Sequence, residues 1–61
     1  MVNLKSLRMK RKLRQADIAK ALNVDRTTVT KWETGESRPR VDKLLELSKV
    51  LKCSVDKLLE V

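Results

Sequence analysis

The sequence predicts an all-α fold, a compact bundle of five short helices. Apolar residues recur at three- and four-residue spacing, and no segment alternates as a strand would. The only glycine and the only proline, Gly35 and Pro39, stand close together and divide the chain into two helical parts. A length of 61 residues allows one small core, and Trp32 is the only aromatic residue. We therefore expect residues 1–61 to form a single domain with an aliphatic core.

Three helices are predicted before Gly35. The first covers residues 4–11, with Leu4 and Leu7 facing inward. The second covers residues 15–22 and ends at Asn23, a residue type that tolerates the left-handed conformation. The third begins at Asp25, whose carboxylate is suited to accept a backbone N–H at a helix start, and it stops at Gly35.

Two further helices are predicted after Pro39. The first of them carries a stripe at helical spacing that consists of Val41, Leu44, Leu47, Ser48 and Leu51. Ser54 is then predicted to cap a short last helix, which carries Val55, Leu58 and Leu59.

The positive charge is concentrated in one part of the chain. The formal net charge is +7, and residues 1–40 contain 11 Lys and Arg against 4 Asp and Glu, whereas residues 41–61 contain 4 of each. A localised basic surface is typical of a protein that binds a polyanion. The alternative is a surface that merely keeps the protein soluble.

Several classes of protein are excluded or disfavoured. One cysteine and no histidine rule out an intrachain disulfide, a Cys/His zinc site and a His-based catalytic triad. No residue cluster supplies an acid, a base or a nucleophile, so neither an enzyme nor a cofactor is expected. We expect a cytoplasmic protein without a membrane partner, because nothing resembles a signal peptide or an apolar span of about 18 residues. No second domain for ligand sensing is recognised, so no small-molecule ligand is expected.

Residues 15–35 contain the most informative pattern, two helices that meet at a tight turn. Such helices need little bulk where they approach, which suits Ala19, while Val24 and Val29 can fill the space between them. The outward side of the second helix then carries Arg26, Thr27, Thr28, Thr30 and Lys31. A helix-turn-helix places its second helix in the DNA major groove, so double-stranded DNA is the expected partner.

Residues 4–59 resemble the phage Cro and repressor type of helix-turn-helix regulators, the XRE family, which has the lambda-repressor-like fold. The ordered positions that carry the resemblance are Leu7-Arg8, Gln15-x-x-Ile18-Ala19, Val29-Thr30-x-Trp32-Glu33-x-Gly35, Pro39, Leu44-x-x-Leu47-x-x-x-Leu51 and Ser54-x-x-x-Leu58. The chain departs from the family pattern at Lys12, Arg14 and Asn23, where Gly, a Ser or Thr cap, and Gly are common. The resemblance implies a sequence-specific transcriptional regulator, most often a repressor that binds a palindromic operator as a dimer.

The resemblance also implies roles for individual side chains. The positions that usually reach base edges are occupied by Arg26, Thr27, Thr28 and Lys31. The positions that typically contact phosphates are occupied by Gln15, Thr30, Thr34, Arg38 and Arg40, and Arg14 adds a charge beside them. Arg8 and Glu33 are implied to form a structural ion pair, which we expect to be only partly buried. The alternative for the threonines and arginines is an ordinary solvated surface, and for Arg8 and Glu33 it is two independent charges.

Dimerisation is expected, because one recognition helix reads only a few base pairs. The candidate interface is an apolar patch formed by Leu45, Val55, Leu59 and Val61. The alternative is that Val55 and Leu59 complete the core of the monomer. Two other functions remain open: an antitoxin-like module that holds a separate protein partner such as a toxin, and a nonspecific binder of RNA or of a membrane surface.

Overall fold

The helices begin and end close to the predicted positions. The computed structural model describes residues 2–59, with side chains described from residue 3 to residue 58. This part of the chain forms α1 (Val2–Lys10), α2 (Gln15–Leu22), α3 (Arg26–Thr34), α4 (Val41–Leu51) and α5 (Val55–Leu59), and it contains no strand. The predicted all-α bundle of five helices is confirmed.

The core takes side chains from every helix. Its buried members are Leu4, Ile18, Ala19, Leu22, Val29, Trp32, Leu47, Leu51 and Leu58. The main helix contacts form a ring in which α1 packs on α3 and α5, α2 packs on α3 and α4, and α4 packs on α5. Helix α3 is therefore held mainly by α1 and α2, and its remaining side is open to solvent. One stripe residue was assigned wrongly, because Val41 is 72% exposed at the first position of α4.

Four helix ends use the left-handed backbone conformation. Asn23 and Gly35 end α2 and α3 at φ 57° and 86°, as predicted. Lys12 follows α1 with φ 58°, and Lys52 ends α4 with φ 53°. The two lysines occupy a conformation that costs a residue with a Cβ roughly 1–2 kcal/mol.

The helix starts differ from the sequence prediction in two places. Asp25 lies at the N-cap of α3 with an extended backbone, but its carboxylate accepts no capping hydrogen bond. Arg14, a poor cap residue, is compensated by Asp17, whose carboxylate accepts the Arg14 backbone N–H at 2.8 Å. This hydrogen bond, followed by the one from the Arg14 side chain, lowers the pKa of Asp17 below its ordinary value. Ser54 caps α5 as predicted, since its hydroxyl accepts the Lys57 N–H at 3.3 Å.

Two basic side chains bind the carboxyl ends of other helices. The Arg11 guanidinium donates to the carbonyl oxygens of Leu51 at 3.0 Å and Lys52 at 3.3 Å, at the end of α4. The Lys43 ammonium donates to the carbonyl oxygen of Leu22 at 2.8 Å, at the end of α2. Both contacts place a cation where a helix dipole is negative and where carbonyl groups lack partners within the helix.

Candidate nucleic-acid interface

Helix α3 presents a polar side to solvent. Val29 and Trp32 point into the core, whereas Arg26, Thr27 and Lys31 are exposed. Thr28, the fourth candidate for base contact, is half-buried. Trp32 is 3% exposed, so it belongs to the core and not to the exposed side of α3. The candidate base-contacting side chains are thus carried by one short helix whose opposite side is fixed by the core.

Two open grooves adjoin α3, and arginines line both. The first, which we call the α2 groove, is lined by Arg8, Arg14, Gln15, Ala16 and Arg26. The second, which we call the loop groove, has among its lining residues Thr28, Trp32, Arg38 and Arg40. The fold therefore brings four of the predicted phosphate-contacting residues next to the recognition helix, although they are spread over residues 14–40. Their proximity to α3 is a tertiary property, and their contact with DNA stays a prediction.

An ion pair links α1 to the end of α3 below this surface. Arg8 Nε donates to Glu33 Oε2 at 2.6 Å, and its terminal nitrogen donates to Oε1 at 3.3 Å. A further nitrogen of Arg8 donates to the carbonyl oxygen of Leu13 at 2.8 Å, so the guanidinium also fixes the turn between α1 and α2. The Arg8 and Glu33 side chains are 11% and 5% exposed. The pair is partly buried, as expected, because Glu33 as a whole residue is half-buried, although the α1–α3 contact encloses the charged ends of both side chains.

Glu33 is held in its charged form. Burial by itself raises the pKa of this carboxyl, but hydrogen bonds from Arg8 and Gln15 and the positive charges of Arg8 and Lys5 outweigh it. The pKa of Glu33 therefore lies below its ordinary value. A buried carboxylate that stays ionised can only accept hydrogen bonds, so the side chains around it must turn donor groups toward it.

Two predicted phosphate contacts extend this ion pair toward the surface. Gln15 Nε2 donates to Glu33 Oε1 at 2.9 Å, and the Thr30 hydroxyl donates to Gln15 Oε1 at 3.1 Å. We call the residues Arg8, Glu33, Gln15 and Thr30 the four-residue network. It joins α1, α2 and α3 at the point where the helix-turn-helix meets solvent.

The remaining predicted site residues are placed in different surroundings. Thr34 is exposed and its hydroxyl donates to the Lys31 carbonyl oxygen of its own helix at 3.2 Å. Leu45 is 50% exposed and lies one helical turn after the exposed Val41 on α4. Val55 is half-buried. The Leu59 side chain and Val61, which complete the predicted dimer patch, lie outside the described residues.

The described part of the chain contains neither a candidate metal site nor a candidate membrane span. In that part no group of three or more His, Cys, Asp or Glu residues is arranged to hold a metal ion. Of the helices that the structure describes, none is both long enough and apolar enough to cross a bilayer.

Residues 4–58 match the profile of the helix-turn-helix family. The chain belongs to this family. The match covers the described helix-turn-helix, the ion pair and both grooves, and it agrees with the XRE-type resemblance of the sequence. The family consists of DNA-binding transcription regulators and not of enzymes.

Similar proteins include a repressor, an activator and a transcriptional regulator of known structure. Repressor protein C2 of Salmonella phage P22 is 40% identical over 57 residues, covering 93% of this chain and 26% of C2. The HTH-type transcriptional activator BcrR of Enterococcus faecalis is 38% identical over 56 residues, covering 92% of this chain and 28% of BcrR. A transcriptional regulator from Listeria innocua superimposes with a TM-score of 0.84 at 36% identity, covering 92% of this chain and 52% of that one. The helix-turn-helix domain described here thus spans about a quarter of these two curated relatives.

Sequence reasoning missed two kinds of functional or supporting contact. The bond between Gln15 and Thr30 joins residues 15 positions apart and has no sequence signature. The Arg11 contact with α4 spans 40 positions. Arg11 belongs to a run of basic residues, Lys10, Arg11, Lys12 and Arg14, and such a run predicts only a solvated surface. A basic residue near the start of a bundle is a weak signal for such capping, since many surface lysines and arginines have the same local context.

Proposed function

We propose that this chain binds double-stranded DNA in a sequence-specific manner and regulates transcription, with α3 inserted in the major groove. The observation that carries the proposal is the exposed polar side of α3, flanked by two arginine-lined grooves and anchored by a buried ion pair. An α-helix with its side chains is roughly 10–12 Å in diameter, so α3 fits a major groove that is about 12 Å wide.

The side chains of α3 suit base readout. Arg26 is exposed at the first position of the helix, and a guanidinium can donate two hydrogen bonds to O6 and N7 of guanine. Lys31 reaches a guanine or a phosphate, and Thr27 and Thr28 offer a hydroxyl and a methyl group to adenine or thymine. Arg14, Arg38 and Arg40 contact phosphates on either side and set the register of the helix.

We further propose repression by a dimer on a pseudo-palindromic operator. A dimer reads two half-sites about one helical turn apart, which multiplies the specificity of a single short helix. The exposed pair of Val41 and Leu45 on α4 supports a contact near the two-fold axis. Repression follows from occupancy of a promoter and needs no additional surface, so it is the simplest outcome for a small binding domain.

The test is selection of binding sites from random duplex DNA in about 150 mM salt, with the wild type, Arg26→Ala and Lys49→Ala in parallel. Both variants lose one positive charge from an exposed side chain, but Lys49 lies on α4. We expect a palindromic consensus for the wild type and for Lys49→Ala. Arg26→Ala is expected to lose preference at one base pair per half-site, at a cost of about 1–3 kcal/mol for that base.

Other results would contradict the proposal in distinct ways. Binding without a consensus that vanishes as salt rises would indicate a charge-driven binder. A consensus without symmetry would contradict the dimer, and a consensus that Arg26→Ala leaves unchanged would contradict the assigned base contact. Increased reporter expression from a promoter that contains the selected site would contradict repression.

A further inference from the structure

The hydrogen-bond polarity of the four-residue network is determined by its buried end. The Glu33 carboxylate can only accept hydrogen bonds, and the Arg8 guanidinium can only donate them. Gln15 must therefore turn its amide NH₂ group toward Glu33 Oε1, at 2.9 Å. Its carbonyl oxygen then faces Thr30, and the Thr30 hydroxyl has to be the donor in that contact, at 3.1 Å.

The Thr30 hydroxyl has no second proton to offer. Its other close partner is the backbone carbonyl oxygen of Arg26, at 3.2 Å, which is also an acceptor. A threonine hydroxyl carries one proton, so this proton is directed into the protein whichever of the two oxygens receives it. What Thr30 presents to solvent is a lone pair, and a lone pair repels a phosphate oxygen.

Gln15 has the opposite polarity at its outer end. Its Nε2 carries two protons, and the contact with Glu33 uses one of them. The side chain is half-buried and lines the α2 groove together with Arg14 and Arg26. The second amide proton is therefore a donor of the kind that a phosphate in this groove requires.

We propose that Thr30 is a positioning residue that orients Gln15, and that Gln15 alone delivers the neutral donor of this network to a DNA phosphate. The inference deepens the proposed function and rests on it, and it revises the phosphate contact that the sequence resemblance implies for Thr30. Glu33, through its two bonded oxygens, connects the fold of α1 to the orientation of this donor.

The experiment uses the selected duplex with one methylphosphonate at a time, which removes the charged oxygen of a single phosphate. The proteins are the wild type, Thr30→Val, Gln15→Met and the double variant, each of which keeps side-chain size but removes hydrogen-bonding atoms. We expect one phosphate at which substitution weakens wild-type binding by about 3- to 10-fold, the range of one hydrogen bond. That penalty should disappear in Gln15→Met and shrink in Thr30→Val, with every other phosphate unchanged in both.

A different phosphate whose penalty disappears in Thr30→Val but persists in Gln15→Met would overturn the proposal, because Thr30 would then be a direct donor. The double variant gives a second criterion. We expect it to bind no more weakly than Gln15→Met, and multiplication of the two single losses would contradict a positioning role.

A measurement on the free protein separates this inference from the proposed function. The side-chain amide resonances of Gln15 should shift in Thr30→Val and in Glu33→Gln, and stay in place in Thr34→Val, whose hydroxyl bonds only its own helix. Unshifted amide resonances in Thr30→Val would overturn the orientation of Gln15 even if DNA binding is specific. A wild type without sequence preference would contradict the proposed function, while the amide shifts would still decide the orientation.

Discussion

At the scale of single residues, the Arg8–Glu33 pair shows how the cost of burying two charges is offset by the hydrogen bonds that they make. Both side chains are almost completely enclosed, yet the guanidinium and carboxylate satisfy each other and also bind Leu13 and Gln15. Replacing one member leaves the other charge buried without a counter-charge, which commonly costs about 3–5 kcal/mol. A domain of this size has a total stability of roughly 3–9 kcal/mol, so the pair matters to whether the chain folds.

Glu33→Gln is expected to lower the free energy of unfolding by about 3 kcal/mol at pH 7, because Arg8 is left without its counter-charge. Urea unfolding followed by circular dichroism measures the change, and Glu36→Gln is the matched control because Glu36 is exposed. Equal stability of the two variants would contradict the role of the ion pair.

The same residue predicts a dependence of stability on pH. Because the pKa of Glu33 is lower in the folded protein than in the unfolded chain, the folded state binds fewer protons in acid. The contribution of ionised Glu33 to the free energy of unfolding is fully present above the ordinary glutamate pKa of about 4.3. It is lost as the pH falls through the lower pKa that Glu33 has in the folded protein. We expect unfolding curves of the wild type to shift to lower urea across this range. Glu33→Gln should show a smaller shift, with the part due to Asp17 remaining.

At the scale of helices, stability depends on how each short element ends. Left-handed residues follow or end four of the helices, and only one of them is glycine. A Cβ at Gly35 would have no atom within 4 Å, so glycine is favoured there by its left-handed backbone conformation and not by a lack of space. The side chains of Lys43 on α4 and of Arg11, which follows α1, then bind carbonyl oxygens at the ends of α2 and α4.

Lys52→Gly is expected to stabilise the domain by about 0.5–1 kcal/mol, because glycine adopts the left-handed conformation without the Cβ penalty. The Lys52 carbonyl that accepts from Arg11 is retained. Lys49→Gly, inside α4, removes the same charge and should destabilise by about 1 kcal/mol. Thermal unfolding measures the stability of both variants against the wild type. A loss of stability in Lys52→Gly would contradict the argument from backbone conformation.

Arg11→Met is expected to destabilise the domain by about 1 kcal/mol, since the Leu51 and Lys52 carbonyl oxygens lose a charged donor. Lys10→Met removes the same charge from an exposed position on α1 and should change stability by less than about 0.5 kcal/mol. Chemical unfolding compares them. Similar values for the two variants would mean that Arg11 contributes only its charge.

At the scale of the whole molecule, positive charge and the recognition helix lie in the same part of the chain. Residues 1–40 carry the whole net charge of +7 and include α1 to α3, both grooves' arginines and the loop before α4. Such a field attracts DNA at a distance and makes affinity depend on salt. Residues 41–61, which follow, carry no net charge and would not repel a second copy, which supports the dimer proposed above.

Affinity for the selected duplex should therefore fall linearly in a plot of log K against log salt concentration. Arg38→Ala and Arg40→Ala are each expected to reduce the magnitude of the slope by about 0.9, the value for one phosphate contact. Lys49→Ala, on α4, should leave the slope unchanged. Fluorescence anisotropy over roughly 50–300 mM salt measures this slope. An unchanged slope in both arginine variants would remove the loop groove from the interface.

Much of the architecture follows from local signals. Helix α2 and helix α3 occupy their predicted ranges because Asn23 and Gly35 are residue types that allow the left-handed turn, whatever the rest of the fold does. Lys12 and Lys52 lack such a signal, and only the packing of the adjoining helices imposes the same conformation on them. Val41 was assigned to the buried stripe by spacing alone, but spacing does not tell where along a helix the core ends.

The sequence by itself determined the helical class, the position of the helix-turn-helix and three exposed side chains of its second helix, Arg26, Thr27 and Lys31, because periodicity and capping act over a few residues. It also indicated the polyanion partner, since charge asymmetry is independent of folding. Only the tertiary structure decided that Arg8 and Glu33 are buried, that Arg11 binds the end of α4, and that Thr30 donates to Gln15. Burial and the direction of a hydrogen bond depend on which side chains meet across the core, and these meet over separations of 15 to 40 residues.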